Sequence, residues 1–144
     1  MTSRSAGILL HPTSLPGRFG IGDLGPEAYR FAGFLASAGI KVWQILPLGP
    51  TGYGDSPYQC FSAFAGNPLL ISLERLVEDG WLTADRIQGL PGHNGPSDFE
   101  RAFEAKRPLV EEAAANFLDR ASEEERSRFQ RFAQDNSSWL TDWA

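Results

Sequence analysis

Two short apolar segments with a helical pattern between them constrain the fold of this chain more than any other feature. Residues 6–10 are apolar throughout and stop at His11-Pro12, as a strand buried on both faces does before a loop. Residues 42–46 form a second β-rich run, which Pro47 ends. The order strand, helix, strand predicts one right-handed parallel crossover unit. The first half of the chain is therefore expected to be α/β.

The helix between the two strands is predicted from residue 26 to about residue 38. Pro26 suits the first helical position, and Glu27 complements the positive end of the helix dipole. Gly39 then marks the expected stop. The preceding residues, 13–25, contain several Gly and Pro and are predicted to be a loop with special backbone angles.

The second half of the chain has a helical pattern. Short helical elements are expected at residues 69–77 and 81–90, followed by a linker rich in Gly and Pro up to residue 97. Asp98 can cap a helix that runs to about residue 120. Pro108 predicts a kink or a restart within that helix.

Two further helices are expected towards the end of the chain. Ser122 and Glu125 have the spacing of a capping box, in which each residue binds the backbone N–H of the other. Residues 137–144 are typical of the first turns of another helix. Residues 47–68, by contrast, are rich in Gly, Pro, Ser and aromatic residues with no steady period. A loop of that length in an ordered domain is usually functional.

The charge and cysteine content exclude several classes of protein. The net charge is -5, and the 13 basic residues are scattered among 18 acidic ones, which argues against nucleic acid as a partner. Cys60 is the only cysteine, so no intramolecular disulfide can form. No apolar stretch approaches the roughly 20 residues that span a bilayer. We therefore expect a cytoplasmic protein with no membrane segment. The sequence implies no metal or organic cofactor and no obligate protein partner.

Three long motifs resemble the amino-terminal signature of one enzyme family. They read GILLHPTSLPG at residues 7–17, VWQILPLGP at 42–50 and YGDSPYQCFSAFAGNP at 53–68. In this order they are similar to the amylomaltases, which are the 4-alpha-glucanotransferases of glycoside hydrolase family 77 and are also called disproportionating enzymes. The resemblance is densest over residues 7–82 and continues more weakly to the final WLTDW.

The resemblance implies a TIM-type (β/α)8 barrel with helical insertions, acting on alpha-1,4-glucans by a retaining double displacement. A whole barrel needs about 250 residues, so the 144-residue chain is expected to be an incomplete barrel with a helical subdomain. Residues 1–80 would be the first β/α units and residues 81–144 the mainly helical subdomain, truncated at its end. The family's catalytic Asp, Glu and Asp lie on later strands, so no catalytic residue is assigned here.

The substrate-binding residues that the resemblance implies all lie in the loop 47–68, which follows the second strand and so belongs at the mouth of a barrel. Tyr58 matches a tyrosine that packs against the glucosyl unit next to the scissile bond. Ser56 matches a residue that hydrogen-bonds the glucan, and Tyr53 matches part of a second glucan site in some members. From the residues alone, Tyr58 could equally be a packing residue, Ser56 a turn residue and Tyr53 an exposed turn aromatic.

Two other groups of residues suggest chemistry less strongly. Cys60 and His11 could form a thiol-imidazole pair, but no third orienting group supports that. Asp23 and Asp55 could form a carboxylate pair, although both stand near glycines and favour turn or capping roles. His11 follows the first strand and is expected either to support the site or to be a hydrogen-bonded structural residue.

The expected partners are malto-oligosaccharides and alpha-1,4-glucans. The competing hypotheses are a non-catalytic glucan-binding module and a helical interaction domain whose functional part is residues 98–144. Two parallel strands without neighbours leave apolar faces and edges uncovered, so the isolated chain is expected to be marginally stable or prone to aggregate.

Overall fold

A computed structural model of the protein describes residues 4–144 and contains two β-strands and six α-helices in that range. In chain order the elements are β1 Gly7–Leu9, α1 Pro26–Ser37, β2 Val42–Gln44, α2 Leu73–Glu78, α3 Ala84–Gln88, α4 Phe99–Arg120, α5 Glu123–Asp135 and α6 Ser137–Trp143. Short 3-10 turns lie at Pro12–Ser14, Tyr53–Asp55 and Pro68–Leu70. The predicted order of an α/β first half and a helical second half is confirmed.

β1 and β2 form the parallel crossover unit that the sequence predicts. They pair in register with Gly7 opposite Val42, and α1 crosses between them. The Phe31 ring of α1 meets the Trp43 ring of β2 edge to face, with centroids 5.0 Å apart. The Trp43 indole N–H also donates to the Leu10 carbonyl at 2.7 Å. One aromatic side chain therefore holds α1 on the sheet and ties the two strand ends together.

The sheet face that points away from α1 is open. Side chains alternate between the two faces of a strand, so Leu9 and Val42 share the face opposite Trp43. Leu9 is 56% exposed and Val42 45% exposed. The prediction that β1 is buried on both faces is therefore wrong for this chain. An apolar strand is buried on both faces only when a second layer packs against the sheet. No element within residues 4–144 covers this open sheet face.

The hydrophobic core lies among the helices instead of on the sheet. It brings together residues of the loop after β1, of α2, α3 and α4, and of the turn between α2 and α3: Phe19, Leu73, Leu82, Ile87, Leu109 and Ala113. Leu73 has no exposed surface, and Phe19 is 2% exposed. Removing apolar area from water stabilises the folded state by about 25 cal/mol per Å². The core therefore fixes the loop after β1 against the helices.

Gly20 allows the loop after β1 to approach the start of α4. Its φ is +106°, and a Cβ at this position would lie 2.5 Å from the Asp98 carbonyl oxygen. The Asp98 N–H donates to the Gly20 carbonyl at 2.9 Å, and the Asp98 carboxylate accepts from the Arg101 N–H at 3.0 Å. The special backbone angle and the Asp98 cap are both confirmed.

α4 runs without a break through Pro108, so the expected restart at that residue is wrong. Proline removes one helical hydrogen bond and crowds the preceding turn. The helix continues because its other face is anchored on both sides of the proline, by the buried Lys106 and Leu109.

The last two helices lie where the sequence predicts them. The Ser122 hydroxyl accepts from the Glu125 N–H at 3.3 Å, and the Glu125 carboxylate accepts from the Ser122 N–H at 2.8 Å, which confirms the capping box. In α6 the Trp139 ring stacks on Phe64, with centroids 5.9 Å apart. Among the described residues, no helix combines the length and apolar character needed to cross a membrane.

Candidate functional site

His11 joins the loops that leave the carboxyl ends of β1 and β2. Its Nδ1 accepts from the Thr13 N–H at 3.4 Å. Its Nε2 lies 3.3 Å from the Pro47 carbonyl oxygen and donates to it, because a carbonyl oxygen can only accept. His11 thus has the structural role that was one of its two predicted interpretations, and it holds the start of the 47–68 loop beside β1.

The segment 47–68, called the rim loop below, folds back on itself like a hairpin. Thr51 and Cys60 form an antiparallel bridge across it. At its base, the Asn67 N–H donates to the Leu48 carbonyl at 2.8 Å. The closed base and the bridge project residues 53–58 as the tip of the loop.

Tyr58 lies in a tight turn at this tip. The Gln59 N–H donates to the Ser56 carbonyl at 3.0 Å, and Pro57 occupies the second position of the turn, where its fixed φ is favoured. The Tyr58 ring follows at the third position and is 75% exposed, while Ser56 is half-buried. Neither residue belongs to the hydrophobic core, and their contact with a sugar stays a prediction.

Tyr53 begins the 3-10 turn on the other side of the tip. Gly54 has φ +71° and Asp55 has φ +52°, a left-handed conformation that glycine and aspartate tolerate. The Tyr53 side chain lies outside the described part of the structure, so its role in a second glucan site also stays a prediction.

A cleft of about 400 Å³ separates the rim loop from α4. Its walls include residues of the rim loop, of the 3-10 turn that follows it and of α4: Pro50, Thr51, Leu69, Phe103, Lys106 and Arg107. Phe103 is 48% exposed, the Arg107 guanidinium lies 5.2 Å from its ring centroid, and Arg107 pairs with Glu111 at 2.8 Å. This loop–helix cleft has the size of a small-molecule site and combines an exposed ring with hydrogen-bonding groups.

Lys106 has no exposed surface and is held by two loops. Its ammonium donates to the Asp23 carboxylate at 2.6 Å and to the Leu69 carbonyl at 2.7 Å. The other carboxylate oxygen of Asp23 accepts from the Gly25 N–H at 2.9 Å. Burial lowers the pKa of Lys106 and raises the pKa of Asp23, and the attraction between the two groups offsets part of each shift. Asp23 is thus committed to a structural ion pair and is not half of a catalytic pair with Asp55.

The thiol of Cys60 is directed at backbone groups of the rim loop. Its sulfur lies 3.1 Å from the Pro57 carbonyl oxygen and 3.5 Å from that of Gly49. Both ring nitrogens of His11 are occupied by other partners, so the two residues do not form a catalytic pair. Over residues 4–144, His, Cys, Asp and Glu side chains form no group of three that could hold a metal ion.

Sequence reasoning missed the α4 side of the loop–helix cleft. Phe103 is an apolar residue of α4, but half of its surface is exposed. Lys106 carried a readable signal, because it falls in the same helical stripe as the buried Ala102, Leu109 and Ala113. A lone charge in an apolar stripe must find a partner when it is buried. The sequence alone did not identify that partner as Asp23.

The fold and the site define an α/β protein with a ligand-sized cleft beside a loop at the carboxyl ends of parallel strands. The profile of glycoside hydrolase family 77, described as 4-alpha-glucanotransferase, matches residues 10–144. The chain belongs to this family.

Similar proteins agree with that assignment along nearly the whole chain. A 4-alpha-glucanotransferase of Synechocystis is 50% identical, with 100% of this chain and 29% of the relative covered. One of Thermus thermophilus is 51% identical, with 98% and 28% covered. The structure of an amylomaltase from Streptococcus agalactiae in complex with acarbose matches with a TM-score of 0.88 and 44% identity, covering 99% of this chain and 28% of that one. The chain therefore spans less than a third of the length of these relatives.

Proposed function

We propose that this chain is part of a 4-alpha-glucanotransferase as long as its relatives. In that enzyme it contributes glucan-binding loops to the barrel. Such an enzyme transfers an alpha-1,4-glucan segment to the 4-hydroxyl of an acceptor sugar. Residues 1–80 would be the first β/α units of the (β/α)8 barrel and residues 81–144 a mainly helical subdomain. The open sheet face supports the barrel, because barrel interiors are filled by side chains from neighbouring strands.

One observation carries the proposal most directly. The rim loop starts where β2 ends, and its tip presents the Tyr58 ring with 75% of its surface exposed. In barrels of this type, ligands bind at the carboxyl ends of the strands. An exposed ring in that position can cover the apolar C–H face of a sugar while its hydroxyl meets a polar group.

The chemistry requires two carboxylates that we do not assign to this chain. One attacks the anomeric carbon of the donor while an acid protonates the departing sugar oxygen, and a covalent glycosyl-enzyme forms. The acceptor 4-hydroxyl then replaces the enzyme carboxylate and gives up its proton to the base. Tyr58 and Ser56 would hold sugar units beside these steps. A site that holds an acceptor and excludes water favours transfer over hydrolysis.

A chimera tests this function. In it, residues 1–144 of this chain replace the matching segment of the Thermus thermophilus relative, and maltotriose is the only substrate. We expect the chimera to form glucose and longer malto-oligosaccharides, and the isolated chain to form neither. A folded chimera that shows no disproportionation, or an isolated chain that shows it, would contradict the proposal.

We further propose that the loop–helix cleft is a place where Phe103 meets a glucan away from the reacting bond. Phe103→Ala should raise the KM of the chimera for soluble amylose about fivefold, because loss of one stacked ring costs about 1 kcal/mol. The rate on maltotriose should stay within about twofold, since a trisaccharide need not reach the cleft. Steady-state kinetics on both substrates measure this. Phe34→Ala, at a 58% exposed phenylalanine of α1, is the control, and equal loss on both substrates would exclude a separate subsite.

A non-catalytic glucan-binding module remains the alternative for these residues taken alone, and a helical interaction domain is the second. Calorimetric titration of the isolated chain with maltoheptaose separates these two. If the chain binds maltoheptaose and Tyr58→Ala weakens the binding, the glucan-binding module is favoured. The cytoplasmic location expected from the composition stays a prediction.

A further inference from the structure

Lys106 connects three parts of the fold through one ammonium group. It belongs to α4, it pairs with Asp23 of the loop after β1, and it donates to the Leu69 carbonyl, which directly follows the rim loop. Asp23 and Leu69 lie 83 and 37 positions from Lys106 along the chain, and Lys106 also lines the loop–helix cleft. The group is therefore placed to set how far the rim loop stands from α4.

We propose that Lys106 is a positioning residue that fixes the width of the loop–helix cleft and so determines how well the enzyme handles long glucans. The inference rests on the function proposed above and concerns the same rim loop. It assigns Lys106 no contact with substrate and no part in the reaction.

The local hydrogen bonds explain how one side chain can act on the whole loop. Leu69 lies in the 3-10 turn Pro68–Leu70, which Asn67 caps by accepting from the Leu69 N–H at 2.9 Å. Asn67 in turn closes the base of the rim loop through the Leu48 carbonyl. A displacement of the Leu69 carbonyl is thus passed to the start of the rim loop. Because its base is closed, the loop can move as a unit.

An apolar side chain in place of Lys106 cannot donate the hydrogen bond to the Leu69 carbonyl. A buried ion pair is often replaced by uncharged groups of similar size without loss of stability, whereas removal of one partner leaves a costly unpaired charge. Experiment can therefore separate two roles of Lys106. The ion pair with Asp23 governs the stability of the fold, and the hydrogen bond to the Leu69 carbonyl governs the position of the rim loop.

The test uses the chimera with Lys106→Met, alone and combined with Asp23→Asn. The asparagine keeps an oxygen that can accept from the Gly25 N–H while removing the unpaired charge. We expect Lys106→Met to lower the thermal midpoint and to raise the KM for soluble amylose about tenfold, which corresponds to about 1.4 kcal/mol of lost binding free energy in the mispositioned cleft. The double variant should recover most of the midpoint but keep the raised KM, and kcat on maltotriose should stay within about twofold throughout.

The outcomes decide the proposal even if the single variant fails to fold. A double variant with a recovered midpoint and a wild-type KM for amylose would overturn it, because Lys106 would then be only structural. A fall in kcat on maltotriose equal to the change on amylose would overturn it as well. Lys41→Met makes the same substitution at an exposed lysine and should change nothing. An inactive wild-type chimera, in contrast, would count against the proposed function itself.

Discussion

Replacing Tyr58 with alanine is expected to lower kcat/KM of the chimera for maltotriose about 30-fold. The ring is 75% exposed at the tip of the rim loop, so it contributes little to the core and is available to a ligand. Covering about 80 Å² of apolar surface is worth roughly 2 kcal/mol at about 25 cal/mol per Å², which corresponds to the stated factor. Initial rates of glucose release from maltotriose measure it.

Two further variants show whether the loss comes from the ring. Tyr58→Phe keeps the aromatic face and should retain most of the activity, with a smaller loss if the hydroxyl also binds the sugar. Tyr29→Ala removes a tyrosine of α1 that is 63% exposed and should have no effect. A Tyr58→Ala chimera with an unchanged thermal midpoint and undiminished kcat/KM would remove Tyr58 from the site.

The elements of the fold could be predicted because each has a local signal of its own. Asp98 and Ser122 cap helices through hydrogen bonds that reach only three residues along the chain, so the sequence next to them contains the information. Pro26 at a helix start and the apolar runs beside His11 and Pro47 are equally local. Of the two outcomes predicted at Pro108, the restart was wrong, because the packing of α4 on both sides of the proline outweighs one lost hydrogen bond.

The site was predictable to the extent that a motif describes it. The resemblance placed Tyr53, Ser56 and Tyr58 in the loop 47–68, and these positions lie at the tip of the rim loop. Their contact with sugar stays a prediction. The hairpin form of the loop was not foreseen, because the Thr51–Cys60 bridge joins residues without an alternating strand pattern. A bridge of this kind depends on the closed base of the loop instead of on local propensity.

Contacts between distant segments could not be predicted from the sequence. Lys106 and Asp23 are 83 positions apart, and nothing in the composition of either segment names the other as its partner. The openness of the sheet was likewise hidden, since an apolar strand carries the same pattern whether or not a second layer is present to cover it. Both features depend on what the surroundings supply, which a local pattern does not record.

The open sheet face leads to a prediction with opposite effects in two settings. In the isolated chain Leu9 is 56% exposed, so Leu9→Lys places its charge in water and interrupts an apolar, unpaired edge. Charged residues on such edges suppress aggregation, and the variant should stay soluble at higher concentration than the unmodified chain. Light scattering during concentration, with dye binding to exposed apolar surface, measures the difference.

In the chimera the same substitution should be severe if the open sheet face lines a barrel interior. A lysine there would be buried without a partner, which costs about 3–5 kcal/mol, and the chimera should lose its thermal transition and its activity on maltotriose. Leu118→Lys introduces the same charge at a 62% exposed leucine of α4 and should have much the smaller effect. If Leu9→Lys left the chimera stable and active, the face would be open to water in the whole enzyme. β1 could then not be the first strand of a closed barrel, because a closed barrel of this kind is filled by the inward side chains of all its strands.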